Sequence, residues 1–297
     1  MTDETCLSNK KPKRLIISLI ITLIFLVSLW VGILIFNNIS FTSDKVFAQK
    51  IDSAILKAEN WAKEHKCDIL KRKNTALIRM LKDCNDIKKN ALFAEIVETF
   101  LVTQKFRGGA CWIRQIDPNY IISKSKLNKM IKKLRIDYKW MLYALASEMS
   151  DFSAQQLEMF EPDRWNGRKL THQLYALTLL RENSKTDEKI DKLIEHLSTR
   201  LTNQLVFDLA VVDIYIQKIE FTLRAGFPEK IKRRWIERMI DNQLDDGGFN
   251  DKWFCFTSNR RPVLSLKEPA SNQHATLQAI SVLYMARYKY PQHFGLK

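Results

Sequence analysis

Residues 15–36 read LIISLIITLIFLVSLWVGILIF, a run of 22 residues without a charge, diluted only by Ser18, Thr22, Ser28 and Gly32. As a helix rising about 1.5 Å per residue, it spans the roughly 30 Å hydrocarbon core of a bilayer. Inside lipid a helix satisfies its own backbone polar groups, which an irregular segment cannot do. A cleaved leader is the competing reading, because Val46-Phe47-Ala48 has small-residue cleavage character. The run exceeds the roughly 7–15 residues of a leader core, however, and Ala48 lies 12 positions past its end. The run therefore reads as an uncleaved anchor.

Flanking charge sets the orientation. Lys10, Lys11, Lys13 and Arg14 precede the run, and only Lys45 and Lys50 follow closely. The excess of basic residues stays on the cytoplasmic side. The expected organisation is a cytoplasmic N-terminus (1–14), an anchor (15–36), a linker (37–50) and an extracytoplasmic helical domain (51–297). The formal charge is +15; the first 36 residues hold four basic and two acidic groups, which leaves +13 outside. Such a surface favours anionic partners: lipid head groups of the membrane, acidic glycans, lipopolysaccharide or peptidoglycan. The compartment argues against nucleic acid. Cys6 falls inside, whereas Cys67, Cys84, Cys111 and Cys255 fall where disulfides can form.

Beyond the anchor the apolar spacing is helical almost throughout. Ile51, Ile55, Leu56 and Trp61 mark one helix, Leu77, Ile78 and Leu81 a second, and Phe93, Ile96, Val97 and Phe100 a third. Further helices are expected over 125–149, 171–181, 187–202, 207–223, 229–243 and 271–288, with Pro228 in a first turn and Ser271 as an N-cap. Period-two alternation is nearly absent, so few or no strands are expected.

Two long connectors interrupt the helices, and both open on Gly-Gly: TQKFRGGA at 103–110 and NQLDDGGF at 242–249. Glycine reaches the left-handed conformation that ends a helix abruptly. Gln104 and Gln243, four residues ahead, can spend their amides on the exposed backbone. The unit is first a chain-reversal device, and its repetition with an echo between THQLYALTLL (171–180) and QHATLQAISVL (273–283) suggests stacked helical hairpins.

Gln243-Leu-Asp-Asp-Gly-Gly-Phe249, followed by Gln273-His274-Ala275-Thr276 before a small-residue apolar helix, resembles the turn and inner helices of α/α-toroid proteins. These include terpenoid cyclases, protein prenyltransferase β-type subunits and toroidal carbohydrate-active enzymes. The likeness covers about 50 residues well and the rest loosely. It implies an all-α protein: a transmembrane helix, then an α/α-toroid-like domain of concentric helices around a cavity. Because that fold hosts many activities, it implies none by itself. The acidic Asp-x-Asp-Asp run of class II cyclases is missing. Asp251, Cys255 and His274 supply the zinc-ligand types of the prenyltransferases at unlike spacing, so no metal and no cofactor is expected.

Several residues carry possible chemistry. Asp245 and Asp246 could divide acid and base roles, although turn carboxylates are more often solvated or capping. His172 and His274, at matching places in two apolar helices, could face a cavity and move protons. Arg114, Asp117 and Tyr120 would suit a sugar acid, with Arg pairing a carboxylate. Asn259, Arg260 and Arg261 form a local cationic point, and Trp112 and Trp253 follow the glycine turns as candidate stacking platforms. No nucleophile elbow and no phosphate-binding loop is present. Were the two turns neighbours, Cys111 could pair with Cys255, leaving Cys67 and Cys84 to clip a hairpin.

The expected function is a membrane-anchored binding or assembly protein of the cell envelope. The alternative is a toroid-fold lyase or hydrolase acting on an anionic envelope glycan, and a third reading inverts the topology. A cavity lined by Asp, His, Tyr and Arg favours the enzyme; one filled with Leu, Phe and Met favours the binder.

Overall fold

The computed structural model describes residues 11–104, 110–134, 136–147, 167–183, 187–250 and 270–296; the first glycine pair (Gly108, Gly109) and residues 251–269 lie outside them. Among the described residues every regular element is helical. The anchor run forms α1 (Lys11–Asn38), of which Leu15–Asn38 is long and apolar enough to cross a bilayer. Next come α2 (Asp44–Glu64), α3 (Lys66–Lys71), α4 (Thr75–Ile87), α5 (Ala91–Gln104) and α6 (Ala110–Ile113). They are followed by α7 (Lys124–Lys133), α8 (Ile136–Leu145), α9 (Gly167–Asn183), α10 (Glu188–Phe207), α11 (Asp213–Arg224), α12 (Arg233–Asp241) and α13 (Gln273–Tyr284).

Local sequence accounts for most starts. Ser43, Asn74, Ser123, Asp187 and Asn272 each accept a first-turn N–H of the helix they precede. Several boundaries differ from expectation, and most have a physical cause. The 37–50 segment is mostly helical, leaving five residues, 39–43, between α1 and α2. Asn272, not Ser271, caps α13, because the Ser271 hydroxyl accepts the Trp61 indole N–H at 2.9 Å. Pro228 opens a separate 3-10 turn, Pro228–Lys230, and buried Ile231 parts that turn from α12. The helix expected over 207–223 begins only at Asp213 because Arg238 takes the carbonyls of Asp208 and Leu209 (2.9 and 2.8 Å). The helix expected over 125–149 is split at Leu134, whose ψ of 151° is extended.

The glycine corner at 242–249 behaves as a reversal device. Gly247 holds φ +85°, and its N–H donates to Leu244 O at 2.9 Å. Gln243 Nε2 donates to Gly247 O (2.9 Å) and to Ala54 O on α2 (3.0 Å). A Cβ on Gly247 would stand 2.3 Å from Lys57 O, and one on Gly248 2.3 Å from Ser271 Cβ. Both glycines are therefore needed for close backbone approach to α2 and to the start of α13.

The helices pack in two groups. In one, α4, α13, α11, α9 and α8 each lie against the next, and α6 touches both α8 and α4. In the other, α5 backs α4, α2 backs α13, and α10 backs α9 and α11. Two helices of the first group are buried nearly all round: in α13 every residue but His274, and in α11 every residue from Tyr215 to Leu223. A helix enclosed on all sides has weak amphipathicity, which is why α13 reads as a mixture of small, apolar and amide residues.

Candidate functional site

The first group of helices lines an open cavity of about 360 Å³. Its wall takes Thr75, Ala76, Leu77 and Met80 from α4, His274 and Gln278 from α13, Gln217 and Phe221 from α11, and His172 and Tyr175 from α9. Tyr138 and Met141 of α8 and Trp112 and Gln115 at α6 complete the wall, and Arg72, Lys73 and Asn74 form the edge before α4. The described charged lining residues are Arg72 and Lys73, beside the two histidines; no carboxylate is among them. The first turns of α4 and α13, with Thr75 and His274 in the lining, add the positive ends of their helix dipoles to that field.

The wall is partly pre-ordered. Tyr175 stacks on Phe221 with ring centres 4.7 Å apart and donates its hydroxyl to Gln115 Oε1 at 3.1 Å. Burial pushes the Tyr175 phenol far up, Glu220 and Asp83 adding to the effect against Arg224 and Arg79, so it is a hydrogen-bond donor and not a base at neutral pH. Thr171 donates to Gln217 Oε1 at 2.6 Å. Trp112 meets Tyr138 edge-on at 6.2 Å, and Tyr138 lies 6.3 Å from the His172 ring. His274 Nδ1 is 2.5 Å from Asp213 Oδ1. Since a carboxylate only accepts, that nitrogen carries the proton in the pair; in the neutral ring Nε2 is then the acceptor, and in the charged ring it is a second donor.

Gln278 is 0% exposed, and neither its amide N nor its O has a partner among the described residues. Burying an amide unpaired costs about 1–3 kcal/mol. A ligand that both donates and accepts would offset that cost.

Behind Tyr175 lies a buried ionic brace. Arg224 bonds Asp83 and Glu220, Arg79 bonds Asp83 (2.6 Å), Glu182 (3.1 Å) and the Gln115 carbonyl, and Ser281 donates to Glu220 at 3.0 Å. It ties α4, α9, α11, α13 and the segment after α6 into one frame. Burial pushes the Glu220 carboxyl up, partly countered by Arg224 and Ser281. Burial also works against the charged form of Asp83, but the Arg224 and Arg79 guanidiniums together outweigh it and hold that carboxyl low.

Of the residues singled out from sequence, His172, His274 and Trp112 line the cavity. Asp245 and Asp246 do not: both are exposed at the glycine corner, where Asp246 Oδ1 accepts Gly248 N–H at 2.8 Å, a structural role. Arg114 is buried and donates to the Pro118 carbonyl at 3.0 Å, Asp117 accepts Asn119 N–H at 3.1 Å, and Tyr120 packs beside Leu127 and Cys111; none of the three reaches the cavity wall. Cys67, Cys84 and Cys111 are free thiols, so the Cys67–Cys84 clip is not made, with Cys67 exposed and Cys84 in the core. Trp253, Cys255, Arg260 and Arg261 lie outside the described residues, as do Asp251 and Asn259.

Reading by motif missed Tyr175, Gln278, Tyr138, Gln115 and Arg72-Lys73. A signal for two of them was present: Tyr175 and Gln278 follow His172 and His274 by three and four residues, the spacing that shares a helix face. The chain matches no family model, no curated protein and no solved structure.

Proposed function

We propose that this is a membrane-anchored, extracytoplasmic protein of the cell envelope, with a helical domain closed into an α/α-toroid-like ring whose cavity binds a small anionic ring compound. The terminal unit of an acidic envelope glycan fits that description. The carrying observation is the lining: aromatic faces and amides inside, Arg72 and Lys73 at the edge, and no carboxylate among the described lining residues, the nearby Asp213 being paired with His274. The unbroken circuit of neighbours from α4 through α13, α11, α9, α8 and α6 supports the ring.

The test is thermal stabilisation of the full chain in detergent by hexuronic acids, compared with the uncharged hexoses of the same configuration. The acid is expected to raise Tm, and the Arg72→Ala/Lys73→Ala pair to abolish the shift. Equal response to acid and neutral sugar, or to neither, would sink the proposal. Gln278→Leu is expected to stabilise the unliganded protein by about 1 kcal/mol, because an unpaired buried amide is removed, and to weaken the ligand-induced shift.

A second reading, cleavage of such a glycan, is favoured by the His274–Asp213 pair. A carboxylate that orients an imidazole leaves its far nitrogen as a proton acceptor. Appearance of new reducing ends from a polyuronate, lost in His274→Asn with binding retained, is the expected result for an enzyme.

A further inference from the structure

Apolar side chains are left in the open where the domain meets α1. Phe207, the last residue of α10, and Leu209, just past it, are 49% and 51% exposed, and Phe41 is 79% exposed. We infer that the Phe207–Leu209 corner enters the outer interfacial layer of the bilayer, so that the domain rests on the membrane instead of swinging from a stem. This rests on α1 spanning a membrane and is independent of what the cavity binds.

The geometry of the joint carries the inference. Trp30 stacks on Phe207, ring centres 6.1 Å apart and planes 13° from parallel. Eight residues on, about 12 Å along the helix, Asn38 Nδ2 donates to Val206 O at 3.0 Å. Asn38 Oδ1 in turn accepts from the Trp235 indole (3.1 Å) and from Lys232 (3.2 Å). Arg234 donates to Phe36 O at 3.0 Å and lies over the Phe36 ring at 4.7 Å. These ties, with only five residues between α1 and α2, hold the domain at a set height on the helix.

That height is within the apolar run. A core of roughly 30 Å beginning at Leu15, directly after the charged Lys13-Arg14, extends to about residue 35. Phe207 reaches α1 at Trp30, on the lipid side of that limit. A corner placed there must hide its polar groups, since unpaired backbone is costly in lipid. The carbonyls of Val206, Asp208 and Leu209 all have donors, from Asn38 and Arg238. The Asp208 carboxylate is paired with Lys218 at 2.6 Å. Lys232 and Arg234 stand beside the corner, where cations meet lipid phosphates.

The test is photo-crosslinking of the full chain in vesicles of phosphatidylcholine and phosphatidylglycerol, with p-benzoylphenylalanine in place of Phe207 or Leu209. Position 26, within the apolar run, is the lipid-exposed reference. Position 56, apolar and 60% exposed on α2, twelve residues past Asp44, is the water reference. Lipid adducts at 207 and 209 several-fold above position 56, and comparable to position 26, are expected. Adducts at 26 alone would overturn the inference while leaving the anchor standing, and adducts at none of the four would remove the anchor too.

Discussion

At the residue scale, two backbone positions separate fold from function. Gly247 has a left-handed φ and Lys57 O where a Cβ would go; Gly226 has a similar φ of +90° but open space around it. Gly226→Ala is expected to cost about 1 kcal/mol from conformation alone. Gly247→Ala is expected to cost roughly 2–4 kcal/mol, because the α2 backbone must also move. Urea unfolding of the two variants checks the difference, and equal costs would show that the corner does not press on α2. Lys73 is the one described non-glycine with positive φ, at +54°, immediately past α3 and on the cavity edge. A helix end of this kind ordinarily takes glycine. Lys73→Gly is therefore expected to stabilise the protein by about 1 kcal/mol while weakening the response to acidic ligands. The lysine is kept at a conformational cost, which points to a use for its charge.

At the element scale, the brace of Arg224, Asp83, Arg79 and Glu220 decides how the cavity helices sit against one another. Removing one member of a buried ionic set costs about 3–5 kcal/mol, because the remaining charges lose their partners. Arg224→Met is expected to fall in that range near neutral pH. The pH dependence has a definite sign. In the native protein Asp83 is held low, so its contribution is complete above the ordinary carboxylate range and is lost as pH falls through the depressed value. In the variant the carboxyls of Asp83 and Glu220 are buried beside one fewer cation. Their folded-state values rise, and stability is recovered as pH falls and they take up protons. The gap between variant and parent should thus narrow between pH 7 and about pH 5 in denaturant titrations. A gap independent of pH would mean that Arg224 acts by packing alone.

At the scale of the whole molecule, the proposed anchoring by α1 predicts which side of a membrane the helical domain faces. Cys67 is exposed and Cys84 is buried, with burial holding its thiol up and unreactive. In intact cells a membrane-impermeant maleimide is expected to label Cys67 from outside and to spare Cys84 until the chain is denatured, as mapped by peptide mass. Labelling of Cys67 only after lysis would invert the topology and remove the envelope reading, though not the cavity.

Local physics was legible in the amino acids: residues 15–36 had to be an apolar helix, the helical spacing of Ile51, Ile55 and Trp61 and of Phe93, Ile96 and Phe100 is kept by α2 and α5, and Gly247 had to reverse the chain. His172 and His274 could be placed on a common wall because two helices repeat a pattern. Long-range contacts decided the rest. Whether an aspartate acts or merely caps depends on what faces it: Asp246 bonds its own corner, whereas Asp213, unremarked in the sequence, orients a cavity histidine. Gln278 and Arg224 resemble any amide or arginine in a helix until packing removes their water. The break after Phe207 comes from Arg238, thirty residues away. Spacing along a chain specifies each helix and its faces; only the tertiary packing settles which face meets which, and therefore which polar groups are left for a ligand.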